Sequence, residues 1–274
     1  MLDTLQKDTI RVQATSPQVG AEVTGLDITR PLTGEQVTAI RKALLDHGVI
    51  FFRDQPFEPA TLKRFGAYFG ELNVHVLKGM EGHPEVRRLY ADENSKFVSG
   101  EEWHSDQSCN KIPPMGSVLC IKEPPPRSGG DTIFASMYSA YDALSEGMKR
   151  YLEPLTAVHD GEPVFKTFDP NGKFPASTHP VVRVHPETKR KLIFVNRSFT
   201  TRINDVSKSE SEGILSFLFS HCEKPEFQTR FMWQANSVAF WDNRCTQHYA
   251  VWDYYPQRRM GIRVQIEGDA VIGA

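Results

Sequence analysis

Cysteine is scarce in this chain. Four residues in 274 (Cys109, Cys120, Cys222 and Cys245) have neither the density of a disulfide scaffold nor the C-x-x-C spacing of a zinc or redox site. Reduced thiols are expected, and the cytoplasm is the compartment that goes with them. An excess of either charge is also missing: 32 Lys and Arg stand against 34 Asp and Glu, a net charge of −2. With no polyanion-binding signal, nucleic acid is not an expected partner. No apolar run approaches the ~18 residues that cross a bilayer. The opening Met1-Leu2-Asp3-Thr4-Leu5-Gln6-Lys7 has no basic stretch followed by an apolar one, so neither a signal peptide nor a membrane partner is expected. Internal repeats and low-complexity tracts are absent. What is present is ordinary for a soluble enzyme: 39% hydrophobic and 24% charged residues. The chain is long enough to bury a substantial core. It is expected as a single domain over 1–274, as a monomer or a homo-oligomer.

The first third mixes helix and strand. Thr33-x-x-Gln36 reads as a capping box, with Val37, Ile40 and Leu44 at helical spacing and Gly48 as a stop. Val49–Phe52 reads as a buried strand, and a second helix starts near Pro59 with Leu62, Phe65 and Phe69 on one stripe. From about residue 117 strands predominate: Ser117–Ile121, Thr132–Phe134, Val181–Val184, Leu192–Val195, Phe227–Trp233, Val238–Trp241 and Met260–Ile266. Pro186-Glu187-Thr188-Lys189 suits a hairpin turn between the third and fourth of these. Helices are expected from Ser136 and from Ser207, the latter with a capping box to Glu210 and the stripe Ile214, Leu215, Leu218, Phe219. Many short strands with a few outer helices predict a mainly β fold, a double-stranded β-helix or jelly roll, with residues 1–100 packed on it. Pro163 to Pro175 lacks helical periodicity, and the segment 160–178 reads as a loop that could serve as a lid.

The chemistry concentrates at Trp103-His104-Ser105-Asp106, answered far along the chain by Gln247-His248-Tyr249. In an extended strand, side chains two apart share a face, so His104 and Asp106 could both address one ion. With His248 they make a two-His, one-carboxylate set, which leaves positions open on Fe(II). Structural zinc would want more thiols, but catalytic zinc fits two His and one Asp, so the ligand set alone leaves a hydrolase open. Further on, Gln257-Arg258-Arg259-Met260-Gly261-Ile262-Arg263 places Arg259, Gly261 and Arg263 on one strand face. Two inward guanidinium groups are costly unless each meets an anion. Each could bind a carboxylate or sulfonate through its planar fork. The alternative for Arg263 is a salt bridge to an acid such as Asp242 or Asp253.

At these motifs the chain resembles the taurine dioxygenase / 2,4-dichlorophenoxyacetate dioxygenase family of Fe(II)- and 2-oxoglutarate-dependent oxygenases. The likeness runs from Val19-Gly20-Ala21-Glu22-Val23-Thr24-Gly25 to Arg263. It includes Trp103-His104-Ser105-Asp106, Gly129-Gly130-Asp131-Thr132, His179-Pro180-Val181-Val182, Phe194-Val195-Asn196 and Trp241 to Tyr249. The resemblance implies iron ligands at His104, Asp106 and His248, with 2-oxoglutarate contacts at Thr132 and Arg259. It implies a substrate anion held by Arg263 with help from His75. Around Lys78-Gly79-Met80-Glu81-Gly82 and Val98-Ser99-Gly100 the chain looks more like the phenoxypropionate enzymes. There it departs from the residues that surround the amine end of taurine.

The expectation is therefore a dioxygenase using Fe(II), 2-oxoglutarate and O2. It would hydroxylate a small organic anion of the sulfonate or aryloxyalkanoate type and release succinate and CO2. A zinc-type hydrolase would use the same three ligands but gives Thr132 and Arg259 no task. A non-catalytic jelly-roll binding protein would need no metal at all.

Overall fold

The computed structural model describes residues 10–75 and 77–274. The opening stretch Met1–Lys7, examined above for a leader, lies outside the described residues. The first third carries β1 (Arg11–Ala14), β2 (Ala21–Thr24), α1 (Gly34–His47), β3 (Val49–Phe52), α2 (Pro59–Ala67) and β4 (Arg87–Ala91). The middle carries β5 (Gly116–Glu123), β6 (Thr132–Ser136), α3 (Met137–Asp142), α4 (Glu146–Leu152), β7 (Thr156–Asp160), α5 (Glu162–Phe165), β8 (Ala176–Pro180), β9 (Val182–Val184), β10 (Lys191–Ile193) and β11 (Thr200–Ile203). The last part carries α6 (Lys208–Cys222), β12 (Gln228–Phe231), β13 (Ser237–Asp242), β14 (Thr246–Ala250), β15 (Arg259–Ile266) and β16 (Ile272–Gly273).

Seven strands form the major sheet in the order β1-β2-β3-β13-β5-β15-β4, with only β2 and β3 parallel among its pairs. Three short sheets complete the set: β12-β6-β14, β11-β7-β8 and β10-β9-β16. This is the jelly-roll architecture expected from the strand pattern. The fully apolar β3 is explained by burial on both sides of the major sheet. Its Val49 and Phe51 join Leu119, Ile121, Ala239, Trp241, Phe134, Phe231 and Trp233 in the cluster between sheets. Ile50 and Phe52 point the other way, into the cluster formed with Ile40 and Leu44 of α1 and Leu62 and Phe65 of α2. Period-two alternation thus feeds two cores from one strand. A buried Phe of this kind contributes about 1.5–3 kcal/mol by leaving water, so the four aromatic and aliphatic residues of β3 anchor the N-terminal third to the barrel.

Both expected capping boxes form. Thr33 accepts from Gln36 N at 3.2 Å while Gln36 accepts from Thr33 N at 2.9 Å. Ser207 and Glu210 reciprocate in the same way. Gly48 closes α1 at φ 72°, and the hairpin pairs β9 with β10, Ile193 opposite Val182. Three expectations need correction. Strand 227–233 is shorter, because Pro225–Phe227 is a 3-10 turn and β12 is only Gln228–Phe231. The segment at Pro163 holds a short helix, α5 (Glu162–Phe165): proline fits a first turn, where its missing N–H costs nothing, and Asp160 accepts from Glu162 N at 2.9 Å. His104 to Asp106 is not a strand. His104 makes one isolated bridge to His248, and the chain then turns through Gln107 at φ 47°.

Candidate active site

The three expected ligands meet, though not by strand alternation. His248 is central in β14, and its backbone exchanges two hydrogen bonds with His104 (3.1 and 2.8 Å). That bridge brings the two imidazoles together with centroids 4.0 Å apart, their planes tilted by 46°. The turn after Ser105 then brings Asp106 between them: its Oδ1 lies 3.6 Å from His104 Nε2 and 4.0 Å from His248 Nε2. All three are buried and offer ligand atoms within 4.8 Å of one another. Gly100 covers His104 closely. A Cβ there would stand 2.9 Å from Cε1 of the ring, and φ of 91° favours glycine as well.

At His104 the proton is placed to leave a lone pair facing inward. His104 Nδ1 lies 2.8 Å from the Glu102 carbonyl, which can only accept, so the proton sits on Nδ1 and Nε2 keeps its lone pair. Burial, and then His104, hold His248 well below the ordinary histidine range, so it is neutral. Burial alone would raise the Asp106 carboxyl. Arg263, His248 and His104 outweigh it and keep the group well below the usual carboxylate range. The carboxylate is also held in place. Oδ2 accepts from Ser117 Oγ at 2.6 Å, Ser117 accepts from Asn243 Nδ2 at 3.1 Å, and Asn243 Oδ1 accepts from Trp241 Nε1 at 2.9 Å. Two neutral imidazole nitrogens and one carboxylate oxygen suit a divalent metal such as Fe(II), and the tethered outer partners are those a metal site needs.

Thr132 and Arg259 come together beside this cluster from opposite sheets. Thr132 shares the inner face of β6 with Phe134, whose ring stacks on His248 (5.8 Å). Thr132 Oγ1 accepts from Trp233 Nε1 at 3.0 Å, which leaves its own hydrogen to donate. Arg259 lies against Trp233, its guanidinium carbon 5.8 Å from the ring. Gly130, at φ 67°, makes room for it: a Cβ there would stand 2.9 Å from Arg259 Cδ. Arg259 is buried, its Nε has no hydrogen-bond partner, and among the described residues it forms no ion pair. An unpaired buried guanidinium and a hydroxyl hydrogen free to donate, both against Trp233, have the chemistry that suits a carboxylate.

Arg263 is on the same face of β15 and is also buried. Its partner is neither Asp242 nor Asp253: Nη1 donates to Asp106 Oδ1 at 2.9 Å, and its Nε stays unpaired. The sequence-based alternative named acids near in number, whereas the fold supplies the one on the turn after His104. His75 lies in the same recess, with burial, then Arg87 and Arg263, pushing its pKa to about 2. A cavity of about 340 Å³ opens here. Its polar lining includes His75, Arg87, Arg263, His104 and Asp106, with Glu101 and Glu102, and its apolar lining is Leu77, Phe97, Val164, Phe165, Phe168 and Phe199. Arg259 lines a neighbouring cavity of about 460 Å³, which shares Arg87, residues 97–99 and Phe168 with the first. Arg87, Ser117 and Trp233 escaped the sequence reading. Arg87 sits in a strand whose Arg-Arg-Leu-Tyr-Ala composition gives little pattern to find.

A second cluster has similar distances. His185, Asp242 and Cys245 are buried with potential ligand atoms within 4.8 Å. His185 Nδ1 accepts from the backbone N–H of Glu187 (3.2 Å) and Thr188 (3.1 Å), so Nε2 carries the proton and donates to Asp242 Oδ2 at 3.1 Å. Arg244 grips both oxygens of Asp242, at 2.9 and 2.7 Å.

Comparison with known proteins agrees with this fold. The family described as "Taurine catabolism dioxygenase TauD, TfdA family" matches residues 11–265. An "Alpha-ketoglutarate-dependent sulfate ester dioxygenase" of Pseudomonas putida is 32% identical over 96% of this chain and 91% of its own. A solved taurine dioxygenase from Burkholderia xenovorans superposes with a TM-score of 0.86 at 36% identity, covering 96% of this chain and 91% of that one. The structure of AAD-2 in complex with Mn(II) and N-oxalylglycine gives a TM-score of 0.80 at 28% identity, covering 95% of this chain and 98% of that one.

Proposed function

From the premise that this chain belongs to the taurine catabolism dioxygenase TauD, TfdA family, we propose that it oxidises an organic sulfonate or sulfate ester. The enzyme is a non-haem Fe(II)- and 2-oxoglutarate-dependent dioxygenase. The single observation that carries the substrate reading is the cavity at His104 and Asp106, lined by the cations Arg87 and Arg263 together with apolar side chains.

His104, Asp106 and His248 hold the iron in this reading. Bound iron, 2-oxoglutarate and O2 supply the chemistry: the keto acid becomes succinate and CO2, and a substrate C–H becomes C–OH. The protein's own contribution is positional. Ser117 and Asn243 keep the Asp106 carboxylate oriented. The Glu102 carbonyl keeps the His104 proton on Nδ1. Arg259 receives the distal carboxylate of 2-oxoglutarate and Thr132 donates a second hydrogen bond to it. Arg263, with His75 beside it, receives the substrate anion, and α5 with the rest of 160–178 acts as the lid that excludes water. Hydroxylation at a carbon bearing the sulfur or the ester oxygen gives an adduct that collapses to a carbonyl compound, releasing sulfite or sulfate. No described helix is long and apolar enough to cross a membrane, and all four cysteines are buried and free, which supports a cytoplasmic place of work.

The test is succinate release, dependent on 2-oxoglutarate, across alkyl and aryl sulfonates, sulfate esters and aryloxyalkanoates. Release with sulfonates or sulfate esters together with sulfite or sulfate is the expected result. Release only with aryloxyalkanoates would move the substrate class and leave the reaction type standing.

A further inference from the structure

We propose that Arg87 is a further substrate-binding residue, closing with Arg263 and His75 on the three oxygens of a sulfonate or sulfate head and selecting it over a carboxylate. This rests on the sulfonate or sulfate ester reading above. Arg87 in β4 stands directly opposite Arg263 in β15, so both side chains leave the same face of the sheet. Like charges opposed in this way destabilise a sheet unless something neutralises them. Within the described residues Arg87 has no acidic partner, and Asp106 is the one carboxylate that meets Arg263. Asp106 is committed to the metal in this reading, so two guanidinium groups remain for a ligand. The rim carboxylates Glu101 and Glu102 are exposed and screened.

The third donor follows from the histidine tautomer. Leu77 N–H donates to His75 Nδ1 at 2.9 Å, so the proton of the neutral ring is on Nε2. Nε2 lies 3.2 Å from Arg87 Nη1, which can only donate. Two donors that face each other cannot bond to each other; each needs a shared acceptor. Arg87, Arg263 and His75 therefore offer three donors to one cavity. A pyramidal SO3 head offers one oxygen to each. A planar carboxylate holds its lone pairs in one plane and cannot set a separate oxygen before each of three donors, so it serves the third less well, and a buried polar site discriminates against such a ligand. The apolar part of the lining then takes an alkyl or aryl body.

The experiment is calorimetric binding of hexanesulfonate and hexanoate to the Fe(II)- and 2-oxoglutarate-loaded enzyme without O2. Wild type is expected to prefer hexanesulfonate by about tenfold or more, and Arg87→Gln to weaken that ligand by about tenfold or more, because a charge-assisted bond is lost. The hexanoate affinity should fall less, so the preference narrows, and Arg87→Lys should recover the charge but only part of the preference. Arg87→Gln binding hexanesulfonate as tightly as wild type overturns the proposal and leaves the sulfonate reading intact. So does a wild type that binds both ligands equally, a measurement that stands even if the Gln variant does not fold. Turnover of aryloxyalkanoates by a wild type that binds neither probe sinks the sulfonate reading itself, and the proposal with it.

Discussion

His104, Asp106 and His248 make one buried cluster and His185, Asp242 and Cys245 make another, with ligand atoms equally close. Distance does not separate them; protons and counter-charges do. At the first, His104 is anchored through Nδ1–H and presents a lone pair at Nε2, and a cavity borders Asp106. At the second, His185 spends its lone pair on two backbone N–H groups and presents a proton, while Arg244 takes both carboxylate oxygens. Arg244 holds Asp242 far below the usual carboxylate range against the effect of burial, and burial together with Asp242 pushes the Cys245 thiol well above its ordinary value. A thiol in that state is a poor metal ligand. The second cluster is a salt-bridged strut beneath the first, one residue from Asn243, which helps to orient Asp106. A metal site is set by where lone pairs point, and a structural site by having none to spare.

The sharpest way to break this comparison is to remove ligands. His104→Ala, Asp106→Ala and His248→Ala should each abolish succinate formation and stoichiometric iron binding, with the circular dichroism spectrum of wild type retained. Full activity in any of the three would remove that residue from the site. Asp242→Ala should do the reverse. It leaves Arg244, only 1% exposed, without its main partner, and breaking a buried pair costs about 3–5 kcal/mol. Urea denaturation should read that loss, while iron content per folded molecule stays at the wild-type level; loss of iron without loss of stability would make the second cluster functional.

Smaller effects sharpen the contrast between paired and unpaired cations. Arg259→Leu removes a charge-assisted bond of about 1.5–3 kcal/mol and should raise the apparent 2-oxoglutarate constant by about tenfold or more. Thr132→Val removes a neutral donor of about 0.5–1.5 kcal/mol and should raise it by only a few-fold. An unchanged constant in Arg259→Leu would mean that its charge answers something other than the cosubstrate.

The last effect is silent near neutral pH and is read on acidification, at a histidine outside both clusters. Burial, then His179, lower His159 from its ordinary 6.5 to about 3. The unfolded chain therefore binds this proton first. The contribution is complete above about pH 6.5 and is lost as pH falls toward 3, with a slope of up to about 1.4 kcal/mol per pH unit. Denaturant unfolding at several pH values should show stability falling over that window, and His159→Gln should flatten the slope by close to one proton.

The motifs made much of this readable in advance. Helix caps at Thr33 and Ser207 are local hydrogen-bond chemistry, and the alternation in β3 and β13 is local geometry, so both survive from sequence to structure. Polar strands such as β8 (Ala-Ser-Thr-His-Pro) and β11 (Thr-Thr-Arg-Ile) carry no alternation, because they are held by neighbouring strands rather than by a buried face of their own. The His104–Asp106 pair was found for its residue types and misread in its conformation. A spacing of two is compatible with a strand or a turn, and the bridge to His248, far away in sequence, selects the turn.

By itself the sequence determined residue chemistry: two imidazoles and a carboxylate, two arginines four apart, glycines beside Thr132, and strands with two buried faces. These follow from composition and short-range periodicity, which need no partner. Only the tertiary structure decided which acid answers Arg263, that Arg87 stands opposite it, and that His185 and Asp242 lock together while His104 and His248 keep lone pairs to offer. Those outcomes depend on strand register and on the direction of single hydrogen bonds across the sheets, and neither is written in any local stretch of the chain.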